Sequence, residues 1–137
     1  MIEELERQGF VKKLPVDQKK INDALALAER DLATARSLLL TDKDWSYSIA
    51  YNAVLQAGRA LMFSHGYRPD GANQHVAVVK FAGLYLGTDE VTTFDRMRRK
   101  RNSSVYDTAG AVSEAEAEFA VRSAETLVPR IRDLVIR

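Results

Sequence analysis

Apolar residues recur along this chain at steps of three and four and almost never in alternation. That period belongs to helices, and no run of alternating β-branched residues argues for a sheet. A short amphipathic start, Ile2 to Gln8, stops at Gly9. The stretch LPVDQKKINDALALAERDLATARSLLLT holds the longest pattern. Ile21, Leu25, Ala28, Leu32, Ala35 and Leu39 make one stripe on a helix of roughly 24 residues, or about 36 Å. Asp17 is its expected N-cap, because a carboxylate there accepts from the orphan amides of the next turn.

Asp44 is the next cap candidate, opening WSYSIAYNAVLQAGRALMFSHGY. Ile49, Ala53, Gln56, Ala60 and Phe63 form one line, widened by Tyr47, Tyr51, Val54 and Leu61, and the many alanines let a neighbouring helix come close. Gly66 fits the left-handed position that ends a helix, and RPDG behind it reads as a turn. A third helix starts near Asn73 and carries Val76, Val79 and Gly83 toward Gly87. Thr88 caps a fourth, with Asp89 and Glu90 complementing the dipole of its first turn. DTAGAV is a loop. Ser113 and Glu116 then form the S-x-x-E capping box of the last helix, whose stripe is Ala120, Ala124, Leu127, Ile131 and Val135. Pro129 is expected to kink it. Four substantial helices with short links predict an all-α, up-and-down four-helix bundle with a short extra N-terminal helix.

Composition narrows what such a bundle does. At 137 residues, 46% hydrophobic and 28% charged, the chain has the size and balance of one globular domain spanning residues 1–137. A net charge of +1 makes no case for nucleic acid from the bulk field, so any basic site must be local. The chain contains no cysteine, which excludes disulfides, thiolate chemistry and cysteine-based zinc sites. The most apolar short run, Ser37 to Thr41, is far too brief to span a bilayer. With no secretory segment and no need for disulfides, a cytoplasmic location is expected.

One stretch departs from the ordinary. RMRRKRNSSVYD, Arg96 to Asp107, places five cations in six positions and then turns polar. With Phe94 at zero on a helical wheel, Arg98 falls at about 40° and Arg101 at about −20°, beside Met97. Two arginines therefore follow the apolar stripe inward, where helices usually place leucine. Arg99, Asn102 and Tyr106 share a second line. A buried guanidinium needs partners, since an unpaired charge away from water costs several kcal/mol. Either Arg98 and Arg101 pair with acids of the bundle such as Asp23, Glu29 or Asp31, or they line a cleft or a subunit interface and grip phosphate bidentately.

These residues resemble the HEPN domain family (higher eukaryotes and prokaryotes nucleotide-binding), over roughly Ile21 to Val135. The likeness is carried by ALAERDLATARSLL, by SYSIAYNAVLQAGRALMFSHGYRP, by His75 opening the next helix, and by RKRNSSVYD, in that order and spacing. It implies a homodimeric helical domain, often found beside a minimal nucleotidyltransferase in toxin–antitoxin or defence pairs. Many members are metal-independent ribonucleases with the motif R-x(4–6)-H, a polar residue following the arginine. Arg101 and Asn102 match the first two positions, but Tyr106 stands where the shortest version has histidine, with Asp107 after it. The likeness is greatest to the subgroup with tyrosine at that place. Tyrosine, ordinarily titrating near 10, is a poor base at neutral pH, whereas arginines still stabilise charge on a phosphorane.

The candidate ligand-binding set is thus Arg98, Arg99, Arg101, Asn102, Tyr106 and Asp107, with Arg101, Tyr106 and His75 as candidate catalytic groups. His75 lies in the first turn of its helix, whose positive end favours neutral imidazole. His65 closes the preceding helix, where the dipole favours imidazolium. Trp45, Tyr47 and Tyr51 either stack bases or pack in the core or a dimer seam. No Gly-rich phosphate loop and no H-x-x-x-H or H-E-x-x-H pair is present, so no metal and no cofactor are expected. The first expectation is a dimeric module binding nucleotide, RNA or a nucleotidyltransferase partner. The rivals are an active ribonuclease toxin and a structural helical adaptor.

Overall fold

The computed structural model describes residues 1–104 and 109–136, Ser104 by its backbone alone. Among these residues the order is α1 (Ile2–Arg7), β1 (Val11–Lys13), α2 (Gln18–Leu38), α3 (Lys43–Ser64), β2 (Tyr67–Pro69), α4 (Gln74–Ala82), α5 (Thr88–Ser104) and α6 (Glu114–Leu134). The fold is all-α around four long helices. Arg36 meets Glu125 at 2.7 Å and Arg132 meets Glu29 at 2.9 Å, which reads α2 forward and α6 backward. Lys100 with Glu116 and Arg130 with Glu90 do the same for α5 and α6. The up-and-down arrangement follows from those pairs, although each contributes little energy at the surface.

The stripe of α2 is buried as its spacing predicts, through Ile21, Leu25, Ala28, Leu32 and Ala35. Helix α3 lies at the centre and packs against α2, α4, α5, α6 and β2. Its alanines and Gly58 permit that, since a Cβ on Gly58 would stand 2.5 Å from Val78 Cγ1 of α4. The expected ends hold at several points. Asp17 accepts from Lys19 N at 2.9 Å, Gly66 adopts φ +80°, and Ser113 and Glu116 close a full capping box. Helix α6 continues through Pro129 as far as Leu134.

Three expectations are corrected. The N-cap of α3 is Asp42, whose carboxylate accepts from Trp45 N at 3.1 Å. Asp44 instead bonds across the molecule, accepting from Gly110 N at 2.6 Å and Val112 N at 3.2 Å. Helix α4 stops at Ala82, well short of Gly87. Finally, the chain contains a small antiparallel sheet, with Val11 opposite Pro69, Lys12 opposite Arg68 and Lys13 opposite Tyr67. Three-residue strands are too short to show a period of two, and their partners lie far apart in sequence. This sheet carries the chain from the end of α3 into the segment from Gly71, at φ +78°, to Asn73, and so aims the N-terminus of α4.

Candidate functional site

The apolar side of α5 is Phe94 and Met97, both fully buried. Arg98 follows them inward with its side chain only 18% exposed. Its Nε donates to Asp95 Oδ1 at 2.9 Å, one turn back on the same helix. Arg99 uses the other Asp95 oxygen at 3.3 Å but is 65% exposed. The bundle acids expected as partners for Arg98 are committed elsewhere: Asp23 to Lys19, Glu29 to Arg132 and Asp31 to Arg30. An aspartate at i−3 is the cheaper partner, because helix geometry already brings it within reach. Among the described residues Arg98 makes no bond through its Nη atoms, so the forked end of the guanidinium is available to a ligand.

Arg101 also turns inward. Its Nε donates to Ser48 Oγ at 3.4 Å, and its guanidinium carbon lies 5.7 Å from the centroid of the Tyr51 ring. Tyr51 is fully buried, and its hydroxyl is 3.0 Å from His75 Nδ1. One aromatic side chain therefore links the arginine of α5 to the histidine of α4. Burial pushes the Tyr51 hydroxyl well above its ordinary titration range, so it stays neutral. Burial also lowers the proton affinity of His75, and Arg101, Arg59 and Arg98 lower it further.

His75, Arg98 and Asn102 line one cleft of about 410 Å³, together with Gly71, Asn73 and Gln74. Among the described residues no carboxylate lines it. Asn73 makes no side-chain cap, so the first amides of α4 are not satisfied by it. A larger groove of about 600 Å³ adjoins this cleft, sharing Val76 and Arg98 with it, and Arg99 lines that groove instead. Of the residues the sequence picks out, the structure thus gathers His75, Arg98 and Asn102. It sets Arg101 over the Tyr51 ring and Arg99 in the adjoining groove. Tyr106 and Asp107 lie outside the described residues.

Two contributors escape a reading of the sequence. Tyr51 has the look of a stacking or core residue there, yet in the structure it positions His75. Arg59 has a buried Nε with no hydrogen-bond partner and contributes to the field at His75. The signal for Arg59 is its spacing, since Tyr51, Leu55 and Arg59 fall four apart on one helix. As for base stacking, Tyr47 and Tyr51 are buried in the core and only Trp45 is exposed, at 53%. His65 is corrected as well. It stacks on Tyr85 with centroids 4.9 Å apart, and burial lowers its proton affinity, which favours the neutral ring over the expected imidazolium. No helix among the described residues is long and apolar enough to cross a membrane.

Compared with known families, the chain matches the HEPN domain over residues 21–134. No curated protein sequence matches it. Among solved structures it is similar to an archaeal HEPN homologue, with a TM-score of 0.68 and 15% sequence identity. That likeness covers 85% of this chain and 98% of the other, and at such identity it speaks for the fold alone.

Proposed function

This chain belongs to the HEPN domain family, a nucleotide- or RNA-related module, and from that premise we propose that the cleft between α4 and α5 holds phosphate groups of an RNA or nucleotide. A single observation carries the reading. Side chains that converge from two helices on this cleft, His75, Arg98 and Asn102, bring cationic and neutral hydrogen-bonding groups, and among the described residues no carboxylate joins them. Arginine suits phosphate because its fork of donors matches two oxygens, and the Nη end of Arg98 is turned to that use. Asn102 orients a ligand through its amide, and Arg101, over the Tyr51 ring, adds positive field at His75.

In this reading the protein acts as a homodimer and as the companion of a minimal nucleotidyltransferase in a toxin–antitoxin or defence pair. It binds rather than cleaves, because Tyr106 replaces the histidine of the family's ribonuclease motif. The test is binding of a short labelled RNA by fluorescence anisotropy, with Arg98→Ala and Asn102→Ala. Each variant is expected to weaken binding at least several-fold, and unchanged affinity in both would rule the cleft out as the binding site. Light scattering during gel filtration tests the dimer, which a monomer at micromolar concentration would overturn.

The bond from Tyr51 to His75 supports a second reading, a metal-independent ribonuclease in which His75 carries the proton. Cleavage of RNA by the purified chain, lost in both Arg101→Ala and His75→Gln, would reverse the order of the two.

A further inference from the structure

We propose that the anion this cleft selects is a terminal phosphomonoester, the end group of a nucleotide or of an RNA strand, and that His75 is the residue that makes the selection. This rests on the reading of the cleft as a phosphate site. It starts from an arrangement that phosphate binding by itself does not require, an imidazole set among guanidiniums. Tyr51 and Arg59 act on His75 from α3, and Arg98 and Arg101 act on it from α5. Burial and the three positive charges all favour the uncharged ring. Tyr51 engages Nδ1 at 3.0 Å, which leaves Nε2 as the nitrogen for a ligand in the cleft. A tyrosine hydroxyl both donates and accepts, so it tolerates either protonation state of the ring beside it.

A phosphodiester inside a strand carries one charge and no proton that moves near neutral pH. It draws on the guanidinium and gains little from a neutral imidazole. A monoester has a second ionisation near pH 6, so it enters in one of two forms. As the monoanion it donates its own P–O–H to Nε2. As the dianion it opposes the arginines' field, so that the ring takes a proton from solution and donates it back to a phosphate oxygen. Both routes end in one proton shared between imidazole and phosphate in a charge-assisted hydrogen bond. The monoester's three terminal oxygens also meet three groups, Arg98, Asn102 and His75, where a diester offers only two.

The experiment is isothermal titration calorimetry on the full chain with three probes: uridine 5′-monophosphate, and one short RNA bearing either a 5′-phosphate or a 5′-hydroxyl. Each is run near pH 6 and pH 8, in two buffers of different ionisation enthalpy. The phosphorylated RNA is expected to bind on the order of tenfold tighter than its hydroxyl twin near pH 6 and to lose most of that margin near pH 8. Buffer-dependent heats should show proton uptake with the phosphorylated probe and none with the hydroxyl one. In His75→Gln the margin between the two RNAs should shrink, should no longer change between pH 6 and pH 8, and should come without proton uptake. If the mononucleotide matches the phosphorylated RNA, the source is a free nucleotide; if only the RNA binds, it is a strand end. Equal binding of both RNAs by the wild-type chain, without proton uptake, overturns the selection by His75 and leaves the phosphate site standing. Binding of no probe overturns both.

Discussion

His75 holds its proton less tightly than an imidazole in water, and the cause can be apportioned by substitution. Burial contributes most, followed by Arg101, Arg59 and Arg98. In an NMR titration its ring signals should move with a midpoint below the ordinary 6.5. Arg101→Ala and Arg98→Ala should each raise that midpoint, and a wild-type midpoint at or above 6.5 would contradict the arrangement. The unfolded chain takes this proton at the ordinary value and the folded chain only at lower pH. Stability from this group is therefore full above about 6.5 and is lost as pH falls from there through the folded value. His65 shifts in the same direction and adds to the loss. Tyr51→Phe tests the positioning bond separately. It removes the hydroxyl 3.0 Å from Nδ1 and should cost about 1 kcal/mol, read as a lower midpoint in urea unfolding.

At the scale of elements, the tightest constraint on a glycine in the bundle is where α3 meets α4 at Gly58. A methyl group there would lie 2.5 Å from Val78 Cγ1, on a side chain that is itself buried. Overpacking of this kind costs about 1–3 kcal/mol, against a gain of up to about 1 kcal/mol from replacing glycine inside a helix. Gly58→Ala should therefore lower the thermal midpoint by a few degrees, and a rise would show that α4 yields freely. The long helices were legible in the sequence because their stripes repeat turn after turn, and α6 announced its start through Ser113 and Glu116. Shorter signals misled. Asp42 and Asp44 are both sound caps, and only the tertiary bonds of Asp44 to Gly110 and Val112 decide between them. The strands around Val11 and Tyr67 were illegible because three residues carry no period. The inward turn of Arg98 and Arg101 was legible from the wheel, since it depends on one helix alone. The meeting of His75 with Arg98 and Asn102 was not, since it depends on where β2 delivers α4.

For the whole molecule, a net charge of +1 means that no general positive field gathers nucleic acid toward this chain. On the proposed reading, affinity comes from the few contacts within the cleft, and that constrains how binding responds to salt. A protein that covers much of a strand shows a steep dependence, because each neutralised phosphate of a single strand adds about −0.7 to the slope of log K against log salt. The cleft of about 410 Å³ has room for one or two phosphates, so the slope per chain should lie between about −0.7 and −1.5. Arg98→Ala should flatten it by about 0.7, because the group that displaces a counterion is then gone. Arg99→Ala, on an exposed side chain facing the neighbouring groove, should change it much less. The measurement is anisotropy of one labelled RNA across a series of salt concentrations for the three proteins. A slope of about −3 or steeper in the wild-type chain would mean that a far larger surface engages the strand than the walls of α4 and α5 provide. Phosphate recognition would then belong to an assembly of chains and not to this cleft.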